Sequence, residues 1–459
     1  MSVFSLSNLK KTWYYLQKNG IRNAVWAVLE RIGQEQEVYT WQEPDEKTLS
    51  FQREHSASLR ISIVVPAYRT KKEHLEAMLN SVSRQSYPHW ELIVADAGGT
   101  AESVQAWAKK NGICLREAAD ASNLAEWKDQ SIVLCTLSEN KGISANTNAG
   151  IELAAGDAVG LLDHDDLLTA NALWEMADCL EKEKKRGKQK LVLFSDEDKC
   201  DGAASRFYEP NFKPDFDGEM LLTNNYICHF TVIETAFLKE LKLRSGFDGA
   251  QDYDLMLRAY AAGGQFVHVP KVLYHWRCHE ASTASNPQSK RYAYEAGQRA
   301  LEDYCLRKGW KATVSGLKHL GFYREDYEDS VFCQRPEIGI WAKPLPGGRD
   351  VFGIRHPKGF LVSGLYENDG SMRYAGLRKG YSGPMHRAAL QQSAPAADLR
   401  SMEVCSALKE RYAQTIAELK EACQGLSTAA QETKILQKSM EFCKEATAAG
   451  YGILWDPQA

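Results

Sequence analysis

Between residues 60 and 200, short unbroken apolar runs alternate with longer stretches in which apolar residues recur every three or four positions. Ile61-Ser62-Ile63-Val64-Val65-Pro66 reads as a buried strand ended by proline. Leu75, Met78, Leu79 and Val82 then keep helical spacing, Tyr87-Pro88 marks a turn, and Glu91-Leu92-Ile93-Val94-Ala95-Asp96 is a second strand. Two strands flanking one helix predict a βαβ unit and a parallel pair. The alternation continues with a helix over 100–110, a strand at Ser131-Ile132-Val133-Leu134 and a helix over 142–155. A strand at Val159-Gly160-Leu161-Leu162 then runs into Asp163-His164-Asp165-Asp166, followed by a helix over 171–184 and a strand over 190–194. The whole predicts a doubly wound α/β sheet. Ligands of such sheets sit beyond the carboxyl ends of the strands. Four polar clusters follow strands here, at 66–68, 96, 163–166 and 195–199, so they converge on one edge.

The flanks have a different texture. Leu9, Trp13, Leu16, Ile21, Val25, Val28, Leu29 and Ile32 predict one or two amphipathic helices with a break at Asn19-Gly20. Lys10, Lys11, Lys18, Arg22 and Arg31 make their polar side basic. Such a helix either packs on the next domain or lies on an anionic membrane surface. Residues 34–58 are polar and read as a linker. From about residue 330 charged turns and short strand-like pieces dominate, and Val404, Leu408, Tyr412, Ile416, Leu419 and Cys423 mark a late amphipathic helix. There is one internal echo. Ala261-Ala262-Gly263 precedes Pro270 by the same six residues that separate Ala448-Ala449-Gly450 from Pro457. With 459 residues the chain has room for two or three units. We divide it into a helical extension and linker (1–57), a main domain (58–325) and a C-terminal region (326–459).

Charge and cysteine usage narrow the partners. The net charge of −4, from 56 basic and 60 acidic residues, argues against nucleic acid. The 11 cysteines form no C-x-x-C pair, which excludes a zinc ribbon and suggests reduced thiols rather than a disulfide framework. Neither an apolar run long enough to span a bilayer nor a signal-peptide core occurs. The expected location is the cytoplasm, with peripheral contact at the inner face of the membrane through residues 1–33.

The chemistry lies at the strand ends. Asp163 and Asp165 form a D-x-D pair, hard oxygen ligands suited to Mg²⁺ or Mn²⁺. A solvated acidic turn is the alternative reading. Asp96, beside Gly98-Gly99, can accept from a base or ribose, or cap the next helix. Pro66-Ala67-Tyr68 stands where a dinucleotide oxidoreductase carries G-x-G-x-x-G, and no P-loop occurs. Asp252 and Asp254 open a helical segment, where acidic side chains favour the helix dipole or, for one of them, general-base work. His275 is either a metal ligand or a structural histidine.

In this order the pieces resemble the family 2 glycosyltransferases of the GT-A fold, over about residues 60 to 315. The matching stretches include Ile63-Val64-Val65-Pro66-Ala67-Tyr68, Gln85-Ser86-Tyr87-Pro88, Glu139-Asn140-Lys141-Gly142-Ile143-Ser144 with Asn146 and Asn148, and the Asp163 loop. Further ones are Phe194-Ser195-Asp196-Glu197-Asp198-Lys199, Phe212-Lys213-Pro214-Asp215, Asn225-Tyr226-Ile227, Gln251-Asp252-Tyr253-Asp254-Leu255 and Tyr274-His275-Trp276-Arg277. Their wording resembles the branch that builds bacterial surface polysaccharides of the rhamnan and O-antigen type.

The resemblance implies an inverting, metal-dependent hexosyl- or rhamnosyltransferase. It would move a sugar from a UDP- or dTDP-linked donor to a growing cell-envelope glycan, whose acceptor can be lipid-linked. By that resemblance Pro66, Ala67, Tyr68 and Asp96 line the nucleotide, and Lys141 and Asn146 lie near the donor. Asp163 and Asp165 hold metal and diphosphate with His275 as a further metal ligand, and Asp252 is the general base. Two features depart from it. Ala97 stands where many members carry a second Asp, and the stretch from 111 to 138 is long. The competing readings are an inactive sugar-nucleotide or glycan-binding module, and a sugar nucleotidyltransferase. The latter would want a Gly-rich loop after the first strand. Residues 369–377 and 449–457 resemble the middle and end of a truncated second glycosyltransferase domain. Ser439 falls where Asp252 stands in the first, so this α+β region reads as a non-catalytic accessory.

Overall fold

A computed structural model describes residues 39–118, 127–278, 291–316, 321–328, 330–342, 364–365, 402–422, 442, 445–446 and 448–455. The expected helices of residues 1–33, the 369–377 stretch and Ser439 lie outside the described residues. The chain divides into two compact units. One comprises Tyr39–Leu221 and Asn225–Lys308; the other comprises Gly309–Ala459 with Leu222–Asn224 and Met1–Val38.

The first unit is built on a ten-stranded sheet. Its strands are β1 (Ile61–Ala67), β2 (Trp90–Asp96), β3 (Cys114–Ala118), β4 (Ser131–Thr136), β5 (Ala158–Leu161), β6 (Leu167–Leu168), β7 (Leu191–Cys200), β8 (Phe207–Asn211), β9 (Thr231–Glu234) and β10 (Gln265–Arg277). They lie in the order β3-β4-β2-β1-β5-β9-β7-β10-β6, with β8 beside β7. The five strands from β3 to β5 are parallel. β9 is antiparallel to both β5 and β7, and β10 is parallel to β7. Hence β7 and β10 run in the direction of β1, and β9 runs against them.

Helices cover both faces of this sheet, which is why β1 reads as a continuous apolar run. Ile61, Ile63 and Val65 pack in one core with Leu75, Met78, Leu79 and Val82 of α2 (Lys72–Ser83). Val104 and Trp107 of α3 (Ala101–Asn111) and Leu173, Met176 and Leu180 of α5 (Ala172–Lys185) join the same core. Val64 alternates to the opposite face, where α4 (Ile143–Leu153) sits so close that a methyl at Gly150 would lie 2.6 Å from Val64 Cγ1.

Two segments differ from the sequence reading. The polar stretch read as a linker contains α1 (Glu46–Glu54), capped by Asp45, whose side chain accepts from the Thr48 amide at 2.8 Å. Its Leu49 and Gln52 are buried, and Gln52 Oε1 accepts from the Ser86 hydroxyl at 2.7 Å. Buried polar groups hold this helix, so apolar periodicity could not reveal it. The long stretch from 111 to 138 contains the edge strand β3. Its charged residues concealed it, but Arg116 is paired with buried Glu91 at 3.0 Å.

In the second unit, β11 (Ala312–Gly316) and β12 (Tyr323–Tyr327) form an antiparallel pair. A four-stranded sheet takes the order β14 (Gly364–Leu365), β16 (Gly452–Trp455), β13 (Ile338–Ala342), β15 (Met402–Val404). The late amphipathic segment forms two helices, Ser406–Arg411 and Ala413–Ala422, with Leu408 and Ile416 buried. The internal echo has a structural counterpart. Gly263 and Gly450 both take positive φ, 77° and 89°. The amide after each reaches back five residues to an alanine carbonyl, Gly264 to Ala259 at 2.8 Å and Tyr451 to Ala446 at 3.1 Å. Both therefore close a helix with the same left-handed cap, and a strand follows each. No described helix is long and apolar enough to cross a membrane.

Candidate functional site

Parallel strands deliver their carboxyl ends to one edge, and an antiparallel strand delivers its beginning there. β1, β2, β5, β7 and β10 therefore bring the residues following 67, 96 and 161 and the ends of β7 and β10 together. β9 adds the residues that precede Thr231, notably His229.

On the β1 side the loops are stitched by backbone. Ala97 N donates to Ala67 O at 2.8 Å, and Arg69 N to Gly98 O at 2.9 Å. Pro66 and Ala67 end β1. Tyr68 is exposed, with the Arg69 guanidinium 5.1 Å from its ring centre. The Asp96 carboxylate is buried and accepts three backbone amides: Gly98 at 3.0 Å, Thr100 at 3.2 Å and Ala101 at 2.9 Å. Asp96 thus performs the helix-capping role for α3.

The loop before α4 is closed by Asn146, which is buried. Its Oδ1 accepts from the Lys141 amide at 3.3 Å and its Nδ2 donates to Asn140 Oδ1 at 2.9 Å. The Lys141 ammonium is exposed beside Glu139 at 3.2 Å. Gly142 has φ +95°, and a Cβ there would collide with the Asp248 carboxylate, whose Oδ1 accepts from the Ser144 amide at 3.3 Å.

The acidic loop after β5 is the centre of the edge. Asp166 is clamped: Tyr274 Oη donates to its Oδ2 at 2.5 Å and the Arg277 amide to its Oδ1 at 2.7 Å. Tyr274 also accepts from the Asp163 amide at 3.4 Å. The Asp163 carboxylate itself accepts no hydrogen bond from a described residue. Burial raises it above the usual carboxylate range; His229 opposes this, while Asp165 and Asp252 add to it. Burial likewise pushes Asp166 well up, with Asp163 and Asp165 reinforcing.

Among the described residues, Asp163, Asp166 and His229 each offer a ligand atom, and these lie within 4.8 Å of one another. His229 Nδ1 meets Glu197 Oε2 at 3.0 Å, and its ring stacks on Tyr274 with centroids 4.7 Å apart. Behind it Glu197 is paired at 3.2 Å with the fully buried Lys213 ammonium, which also donates to the carbonyls of Ile227 and His229. Burial opposes charge on both His229 and Glu197, and their partners outweigh it. Glu197 with Asp163 and Asp166 holds His229 up to about 9. Lys213 and His229 hold Glu197 down to about 2. At neutral pH the His229 ring therefore faces the two aspartates as a cation, and loss of a proton would free a ring nitrogen to bind a metal. Two carboxylates and an imidazole suit a divalent cation, and the unoccupied lone pairs of Asp163 give it a place.

Asp252 lies in the first turn of α6 (Gln251–Ala261), close enough for its charge to act on Asp163. Its Oδ2 accepts from Asn225 Nδ2 at 2.7 Å, while the buried Asn225 Oδ1 has no hydrogen-bond partner. Its neighbour Asp254 is buried in ion pairs with Arg244 and Arg258.

The structure thus puts Asp252 within electrostatic reach of Asp163, and the cluster of Asp163, Asp166 and His229 includes neither Asp165 nor His275. His275 is drawn to the opposite face of the sheet. On β10 it follows Tyr274, which points to the acidic loop, and successive strand residues alternate. Its Nδ1 meets Asp198 Oδ1 at 2.5 Å, and its ring packs between Trp41 and Phe207 at 4.9 and 4.3 Å. Sequence reasoning missed the roles of Asp166, Glu197, Lys213, Asn225 and His229. The signal within reach was the run that continues from Asn225-Tyr226-Ile227 to Cys228-His229-Phe230 ahead of an antiparallel strand.

Comparison with known proteins bears on what this edge does. Residues 62–241 match the family model described as Glycosyl transferase family 2. Residues 62–241 are thus similar to that family, and all but 222–224 lie within the mixed α/β first unit. An uncharacterized protein of Sinorhizobium fredii is 36% identical over 255 residues, covering 55% of this chain and 26% of its own length. The O-antigen biosynthesis protein RfbC of Myxococcus xanthus is 34% identical over 256 residues, 56% of this chain and 19% of that protein. The matched region thus spans about a quarter or less of these two relatives. Among solved structures, S. aureus TarS in complex with UDP-GlcNAc matches at 19% identity and a TM-score of 0.41, covering 54% of this chain and 67% of that one.

Proposed function

We propose that the chain is an inverting glycosyltransferase of bacterial surface-polysaccharide synthesis, moving a hexosyl or rhamnosyl group from a UDP- or dTDP-linked donor to a glycan hydroxyl. The reading rests on the family 2 domain and on one observation above the rest. Asp252, held by Asn225 at 2.7 Å, stands within electrostatic reach of the free carboxylate of Asp163 at the end of β5. One side of such a pair serves a donor diphosphate and the other an acceptor hydroxyl. The O-antigen role in the name of RfbC supports a surface glycan as product.

In this scheme the Tyr68 and Asp96 loops, joined by backbone at Ala67–Ala97 and Arg69–Gly98, line the nucleotide. Lys141, on the loop braced by Asn146, lies on the donor side. Asp163 and Asp166 are the carboxylates that hold a divalent cation, and Asp165 stays on the same loop as a solvent-side oxygen donor. When bound, that cation neutralises charge on the departing diphosphate. The Asp252 carboxylate takes the proton from the acceptor hydroxyl. That oxygen bonds to the anomeric carbon from the face opposite the diphosphate, whose own bond to that carbon breaks. Nucleoside diphosphate leaves and the anomeric configuration inverts. The acceptor is carried on a lipid at the inner membrane surface.

The test is product analysis of the full chain with UDP-, dTDP- and GDP-linked sugars. The reading predicts nucleoside diphosphate, not pyrophosphate, and a rate lowered by about 10²–10⁴-fold in Asp252→Asn. Pyrophosphate would instead indicate a nucleotidyltransferase. No turnover with intact donor binding would indicate a binding module.

A further inference from the structure

We propose that His229 is the nitrogen ligand of the divalent cation held by Asp163 and Asp166, and that Glu197, backed by Lys213, is the positioning residue that aims it. The proposal rests on the reading of this edge as a cation-dependent transfer site, but it is tested on the metal alone.

Three independent constraints fix the imidazole. Its Nδ1 is engaged by Glu197 Oε2 at 3.0 Å, which leaves Nε2 as the nitrogen on the ligand side. Its plane is set by stacking on Tyr274, with 9° between the rings. Its backbone is held from both sides: the carbonyl accepts from the Lys213 ammonium, and the amide donates to Glu197 at 3.3 Å. A histidine ligand whose second nitrogen is held by a carboxylate is the arrangement by which proteins fix ring orientation and raise ligand basicity. Tyr274 unites the parts, since it stacks on His229 and clamps Asp166 at 2.5 Å. His275, at the end of β10, has its Nδ1 on Asp198 at 2.5 Å and its ring between Trp41 and Phe207.

A consequence follows for metal choice. Mg²⁺ demands oxygen ligands in near-ideal octahedral geometry, whereas an imidazole nitrogen is well suited to first-row transition metals. The site is therefore selective for Mn²⁺ over Mg²⁺.

The experiment uses the full chain and Mn²⁺ alone. Binding is followed by calorimetry, with Mg²⁺ in parallel, and electron spin echo spectra of the Mn²⁺ complex report any ¹⁴N ligand. The wild-type protein should show one ¹⁴N coupling and a preference for Mn²⁺. His229→Gln should abolish the coupling and erase the preference. Glu197→Gln should weaken Mn²⁺ binding by about 10–100-fold while keeping the nitrogen. His275→Gln should keep both coupling and affinity. Absence of the ¹⁴N coupling in the wild-type spectrum overturns the proposal even if a variant fails to fold. Absence of ¹⁴N coupling, absence of Mn²⁺ binding, or a coupling lost in His275→Gln and retained in His229→Gln would overturn the proposal. Failure of sugar transfer with the coupling intact would count against the transferase reading instead.

Discussion

Asn225 shows how much a single side chain decides at this edge. Its NH₂ donates to Asp252, which leaves the Asn225 oxygen buried and unpaired. In the proposed reaction that oxygen would accept from the acceptor substrate. Asn225→Ala should therefore lower turnover by up to about 10²-fold through misplacement of the base, with donor affinity unchanged. Steady-state kinetics with separate donor titration checks this. The His229–Glu197 pair sets a pH dependence of folding. His229 is raised, so its stabilising contribution is complete below its ordinary 6.5 and is lost as pH climbs through about 9. Glu197 is lowered, so its contribution is present above its ordinary 4.5 and is lost as pH falls toward about 2. Melting in a chelator should show falling stability on the alkaline side, and His229→Gln should flatten that limb. Asp163 and Asp252 could be singled out in the sequence as carboxylates after an apolar strand and in a first helical turn, but Asp96, which caps a helix, and Asp254, which is ion-paired, occupy like positions. The histidine could not be singled out. The choice between Tyr274 and His275 depends on strand parity, and β10 carries register shifts between Val269 and Val272 and again before Tyr274. A bulge resets the alternation, so no count along the sequence can recover it.

At the scale of elements, the sheet direction is what assembles the site. The alternation of runs and amphipathic stretches revealed β1, β2, β4, β5 and β7 because each is buried on both faces. The edge strand β3, with Arg116 and Glu117, and the polar helix α1 carry too little apolar signal for that. Two connections anchor the site to these elements. Gly142 opens α4 at φ +95° against Asp248, so Gly142→Ala should destabilise the fold by about 1–3 kcal/mol through strain and collision. Lys213 ties the end of β7 to the segment before β9 through Glu197 and the Ile227 and His229 carbonyls. Lys213→Met removes the fully buried cation from Glu197, leaving only His229 opposite the carboxylate, and should cost about 3–5 kcal/mol. Chemical denaturation measures both, and the larger loss for Lys213 is the distinguishing result.

At the scale of the molecule, the chain divides into two compact units. The first, Tyr39–Leu221 with Asn225–Lys308, contains every residue assigned to donor, cation and base. In the second, the helix cap at Gly450, which repeats the one at Gly263 in the first, is the described trace of the echo. The central claim is that Asp163 anchors a nucleoside diphosphate through a divalent cation at the sheet edge. It is tested most directly by the melting temperature of the full chain with UDP, dTDP and GDP, each with and without Mn²⁺, in wild type and Asp163→Asn. The account predicts that one nucleotide stabilises the wild type by about 2.7 kcal/mol at a hundredfold excess over its Kd, only with Mn²⁺, and not in the variant. Stabilisation that needs no metal and survives Asp163→Asn, or no stabilisation by any of the three, would contradict it.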